Sequence, residues 1–132
     1  MAQALSEQAQ PKAKMLTQMV QTILGIAQPV KIILFGSWAK GTATPDSDYD
    51  LLIIDAKLFG KGRSRRRLIG KLGRALASFQ VPSDILLYGV SEVEHWRQSP
   101  NHLISRALQD GKVLYERKRY RGAGKIGKGN EC

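Results

Sequence analysis

Apolar residues along this chain alternate between two spacings. From Lys12 to Ala27, Met15, Leu16, Met19, Val20, Ile23, Ile26 and Ala27 recur every three to four residues, which predicts an amphipathic helix with Pro11 suited to its first turn. Pro29 breaks the pattern. Val30 to Phe35 is β-branched and apolar and predicts a buried strand, ended by Gly36-Ser37. A short helical turn is expected up to Lys40. Thr42 to Ser47 reads as a loop with Pro45-Asp46-Ser47 as its turn, and Tyr49 to Asp55 as a second strand. After a Gly- and Lys/Arg-rich loop at Gly60 to Ser64, Leu68, Ile69, Leu72, Ala75, Leu76 and Phe79 line one face of a helix spanning Arg65 to Phe79. The arginines fall mostly on the other face.

Pro82-Ser83 precedes a third strand, Asp84 to Tyr88. Ser91, with Glu94 three residues on, predicts a capping box. Ser99-Pro100 predicts another helix start, with Leu103, Ile104, Ala107 and Leu108 as the apolar stripe and Gly111 as C-cap. Val113 to Tyr115 predicts a last short strand. The order α-β-(turn)-β-α-β-α-α-β is that of an α/β fold, a single small mixed β-sheet with helices packed on it.

Length and composition limit what such a fold can carry. At 132 residues the chain supports one hydrophobic core. We read residues 1–11 as a frayed N-terminus, 12–116 as the domain and 117–132 as a basic tail, flexible without a partner. The longest strongly apolar run, Ile32 to Phe35, is far too short for a bilayer span. Met1 to Gln10 has neither the basic nor the apolar region of a signal peptide. The single cysteine, Cys132, cannot form an internal disulfide. A cytoplasmic protein with no membrane association is the expectation.

The net charge is +10, and it is clustered. Eight cations and no acid lie between Lys57 and Arg74, and six more lie from Arg117 to the C-terminus against Glu131 alone. Such surfaces attract phosphates, whether of a nucleotide, a nucleic acid or an acidic partner face, and the sign alone does not choose among them.

Candidate chemistry concentrates in Leu34 to Ile54. Gly36-Ser37 sits where a buried strand turns into a helix. There a glycine allows close backbone approach, and free N–H groups with a serine hydroxyl suit an anion such as a triphosphate. Lys40, one turn on, is placed to add a positive charge. Asp48 and Asp50 flank Tyr49 at a strand start, so both carboxylates project to one face. Bare, they repel; a divalent cation such as Mg²⁺, which takes one or two carboxylates plus substrate phosphates, removes the conflict. Asp84, opening the next strand, is a third acid in reach of the same place. Three carboxylates beside a phosphate cradle suggest two-metal phosphoryl or nucleotidyl transfer.

Gly36-Ser37, ten intervening residues, then Asp48-Tyr49-Asp50 resembles the GSX10DXD signature of the polymerase-β-type nucleotidyltransferase superfamily. The short length resembles its minimal nucleotidyltransferase branch of MntA-like antitoxins. The resemblance implies that Gly36 and Ser37 contact the nucleotide phosphates. It further implies that Asp48 and Asp50 bind the metals, and that Asp84 helps bind metal and activates an acceptor hydroxyl. Where many members carry Ala-Arg-Gly, this chain has Ala39-Lys40-Gly41, which keeps the charge and loses the bidentate fork. The resemblance also implies Mg²⁺, ATP as donor, and a helical HEPN-type toxin as acceptor and partner, neutralised by addition of AMP in a hetero-oligomer.

Two other functions fit less of the chain. A small-molecule nucleotidyltransferase of the aminoglycoside-modifying kind usually carries an extra domain. A non-catalytic module binding a partner or RNA through the basic face and tail leaves the three aspartates without a purpose. His95 and His102 lie on separate predicted helices and read as structural; Trp38 and Trp96 read as packing residues.

Overall fold

The computed structural model describes residues 12–56, 59–60 and 64–118. The expectations for residues 1–11, for the middle of the loop after Gly60, for Lys57, Lys61 and Arg63, and for the tail beyond Lys118 lie outside them.

The elements are α1 (Ala13–Leu24), β1 (Pro29–Phe35), α2 (Ser37–Lys40), β2 (Tyr49–Asp55) and α3 (Arg65–Leu76). A 3₁₀ turn at Ala77–Phe79 extends α3, and β3 (Ser83–Gly89), α4 (Val90–Trp96), α5 (Leu103–Asp110) and β4 (Lys112–Glu116) follow. Four strands form one mixed sheet in the order β3-β2-β1-β4. β1 pairs antiparallel with β2 and with β4. β2 pairs parallel with β3, which is why a helix must separate those two in sequence.

The central strands are apolar on both faces because both are covered. Alternate residues sort between two cores. Ile32, Leu34, Leu51 and Ile53 pack with α1, α2 and α3 through Met19, Ile23, Trp38, Leu72 and Leu76. Val30, Ile33, Phe35, Leu52 and Ile54 pack with α4 and α5 through Val93, Ile104 and Ala107. At about 25 cal/mol per Å² of apolar surface, these layers supply most of the stabilising free energy. No helix among the described residues is long and apolar enough to cross a membrane.

Two helix starts differ from the sequence reading. α4 begins at Val90, with Gly89 as its cap rather than Ser91. The Glu92 carboxylate accepts from the Gly89 N–H at 2.8 Å, whereas Glu94 is occupied by Arg97 at 3.0 Å. α5 begins at Leu103, not at Pro100. Ser99 and His102 form a turn in which their N–H groups donate to Trp96 and Ser99, and His102 Nδ1 then accepts from the Ile104 N–H at 3.1 Å. Gly111 does cap α5, in an extended conformation (φ −81°) rather than a left-handed one. A Cβ there would collide with the Ala107 carbonyl, the Ile33 side chain and the Leu34 carbonyl. Close packing over β1, not backbone handedness, accounts for this glycine.

Candidate functional site

The sheet brings the three aspartates to one end, on the face shared with α4 and α5. In the sheet register Asp50 stands between Phe35 of β1 and Asp84 of β3, and Asp48 precedes it by two residues on the same side. Asp48 and Asp84 are exposed and Asp50 is half-buried. Burial foremost, and then the charges of Asp84 and Asp48, push the Asp50 carboxyl above the ordinary aspartate range.

Gly36 meets this group directly. It has φ +75°, a region that disfavours side chains, and a Cβ at this position would run into the Asp50 carboxyl. The turn that ends β1 and the acid on β2 are therefore packed together, and only glycine leaves room. The Gly36 carbonyl accepts from the N–H groups of Ala39 and Lys40, both at 3.1 Å. The first N–H groups of α2, on Ser37 and Trp38, consequently have no partner within the helix.

The loop carrying Asp48 is pinned from α2. The Trp38 indole stacks on the Tyr49 ring (centroids 4.7 Å apart, planes at 10°), and its Nε1–H donates to the Ser47 carbonyl at 3.0 Å. Within the loop, the Ser47 N–H donates to the Thr44 carbonyl and the Ser47 hydroxyl accepts from the Thr44 N–H, both at 2.9 Å. This is the turn expected around Pro45. The Tyr49 phenol is raised by burial, against a backbone hydrogen bond with Lys12. Trp38, read from sequence as a packing residue, thus also fixes the residue that precedes Asp48.

Lys40 is exposed at the last position of α2, three residues from Ser37 and so on the same helical side. Among the described residues it forms no ion pair with the aspartates. Nor are any three His, Cys, Asp or Glu side chains among the described residues gathered closely enough to enclose a metal ion unaided. The donor set fits a cation that takes further ligands from a substrate, which is how Mg²⁺ commonly binds. His95 and His102 both pack against Trp96, edge-on at 4.8 Å and stacked at 4.0 Å.

Sequence reasoning missed the partner of Arg65, which is half-buried rather than fully solvated. It donates to Glu92 at 2.5 Å and to the Leu87 carbonyl at 3.1 Å, with its guanidinium over the rings of Phe59 and Tyr88. Burial pushes the Glu92 carboxyl up. The Arg65 hydrogen bond, the Gly89 N–H and the Arg65 charge outweigh that and leave it below the ordinary glutamate range. The signal available in the sequence was Glu92 three residues after Gly89, the spacing of an N-terminal cap.

Similar folds are known. A variant of the MntA–HpeT toxin–antitoxin with two aspartates replaced by glutamate superposes with a TM-score of 0.57 at 15% identity, covering 85% of this chain and 81% of that one. A second variant of the same toxin–antitoxin gives 0.51 at 21% identity, with 84% and 80% covered. A putative nucleotidyltransferase from Sulfolobus solfataricus gives 0.55 at 16% identity, with 81% and 82% covered. At these identities the likeness is one of fold. No curated protein matches the chain. The model of the polymerase beta nucleotidyltransferase family matches residues 18–120, most of the sequence, and the chain belongs to that family.

Proposed function

We propose that this nucleotidyltransferase moves AMP from ATP onto a hydroxyl of a partner protein, a helical HEPN-type toxin, and acts as its antitoxin within a hetero-oligomer. The domain doing so is residues 12–116. The observation that carries the reading is the packing of Gly36 against Asp50 with Asp84 alongside, which joins a phosphate-suited turn and an acid cluster at one place. Family membership supports the transfer, and the fold shared with the MntA–HpeT toxin–antitoxin supports a protein partner.

In this reading Ser37 and the free N–H groups at the start of α2 hold the triphosphate, with Lys40 adding charge. Asp48 and Asp50 hold Mg²⁺, which when bound neutralises charge on the α- and β-phosphates. Trp38 keeps the Asp48 loop in place through Ser47. Asp84 orients the acceptor hydroxyl and takes its proton; the hydroxyl oxygen bonds to the α-phosphorus, the bond to the bridging oxygen breaks and pyrophosphate leaves. Among the described residues the three aspartates form no ion pair, which suits a role that begins when a cation and an anionic substrate arrive together.

The test is incubation with α-labelled ATP and Mg²⁺, with the neighbouring gene product and separately with a host lysate, and with Asp48→Asn/Asp50→Asn as control. Metal-dependent label on a helical partner, lost in the double variant, is the expected result. Label on an aminoglycoside and not on protein would replace the acceptor. Absence of transfer and of nucleotide binding would overturn the enzyme reading.

A further inference from the structure

Helix α3 is capped by the Ser64 hydroxyl, which accepts from the Arg67 N–H, but two of its features oppose local stability. Its first turn is Arg65, Arg66 and Arg67 with no acid, so cations sit at the end where the helix dipole is positive. Arg65 is accounted for by Glu92. Arg66, Arg67, Lys71 and Arg74 are exposed, and among the described residues none of them forms an ion pair. Gly70 and Gly73 interrupt the same helix, where glycine is destabilising relative to alanine. Among the described residues nothing lies within 4 Å of where a Gly73 Cβ would be, so no contact among them requires that glycine. The Arg74 guanidinium lies over Gly70. Sites where sequence and local stability disagree in this way are where function is expected.

We infer that the exposed face of α3 is a docking surface for the phosphate backbone of a nucleic-acid strand, separate from the acid cluster. Arg67, Lys71 and Arg74 follow one another at helical spacing over about 10 Å, a row of cations matched to a run of phosphates. A protein partner is disfavoured because interfaces between proteins are built on an apolar or aromatic centre. The exposed large hydrophobics among the described residues are Leu103 and Val113, on α5 and β4, and none is on this face. Gly73 is exposed and keeps its part of the face low, so a strand can approach the helix backbone there. Contacts of this kind position a nucleic acid without reading its bases.

The experiment is fluorescence anisotropy of the full chain with a labelled single-stranded RNA of mixed sequence, about 20 nucleotides long, across roughly 50–200 mM KCl. Binding that weakens steeply with salt is expected. Arg67→Gln/Lys71→Gln/Arg74→Gln should weaken it at least about tenfold and reduce the salt slope by about two. Arg66→Glu should weaken it too while leaving Tm unchanged or a few degrees higher, because the dipole conflict is relieved. A Tm that does not fall separates a lost contact from a lost fold. A companion variant with Gln at Lys118, Arg119, Arg121, Lys125 and Lys128 tests the tail. Binding abolished by the tail variant and untouched by the triple variant would overturn the assignment to α3. Equal competition by polyglutamate would overturn the choice of nucleic acid and indicate an acidic protein.

Discussion

The two ends of the sheet treat their carboxylates in opposite ways. At the end where β1 finishes and β2 and β3 begin, Asp48, Asp50 and Asp84 gather without a cation among the described residues, and Asp50 is held above its ordinary range. At the other end, where β3 finishes, Glu92 is held by Arg65 and the Gly89 N–H and lies below its ordinary range. A carboxylate satisfied by the protein's own cation and N–H group fastens elements together. A carboxylate crowded by its own kind waits for something from solution.

The sharpest way to break that comparison is Asp50→Asn. Transfer should fall by at least about 10³-fold in kcat/KM, roughly 4 kcal/mol of transition-state stabilisation, with no loss of Tm. A single-turnover assay beside a melting curve reads both. Gly36→Ala comes next. Its Cβ enters the space of the Asp50 carboxyl at φ +75°, so we expect about 1–3 kcal/mol of destabilisation together with lost activity, measured by urea unfolding.

Glu92→Gln should do the reverse of Asp50→Asn. It should lower stability by ~1 kcal/mol, small because both partners are about a third exposed, and leave transfer by the folded fraction intact. Its pH dependence has a definite sign. The folded state favours ionised Glu92, so this contribution is present above pH 4.5 and is lost as pH falls through the lowered folded value. Below pH 4.5, the variant's stability should therefore fall less steeply than that of the parent protein. An effect of similar size on stability is expected from Trp38→Phe, which keeps the stack on Tyr49 and loses the bond to Ser47. It should cost about 0.5–1.5 kcal/mol and raise the KM for Mg·ATP more than it lowers kcat.

What was legible in the sequence divides along the same lines. β2 could be placed from Tyr49 to Asp55 because a strand covered on both faces is apolar without interruption and is bounded by a turn signal and an acid pair. The shared face of Asp48 and Asp50 followed from strand geometry; that Gly36 belongs with them was implied by the resemblance to the GSX10DXD signature, and the structure packs Gly36 against the Asp50 carboxyl. Helix starts were less legible because Ser91 and Pro100 carry the right residue types while Glu92 and His102 have the right geometry. The role of Arg65 could not be found by periodicity, since its partner lies 27 residues away across a parallel crossover. The bond from Trp38 to Ser47 was hidden for a similar reason: the acceptor is a backbone carbonyl, which no side-chain pattern announces.

The claim that the acid-rich end is a cation site is tested most directly by thermal unfolding against Mg²⁺ concentration, at a fixed concentration of a non-hydrolysable ATP analogue, in the unaltered protein, in Asp50→Asn and in Glu92→Gln. At about ten times the dissociation constant, binding to the folded state should contribute on the order of 1.4 kcal/mol and raise Tm by several degrees. The unaltered protein and Glu92→Gln should both show that rise, and Asp50→Asn should show none. An equal rise in all three would mean that Mg²⁺ binds elsewhere, and would contradict the account.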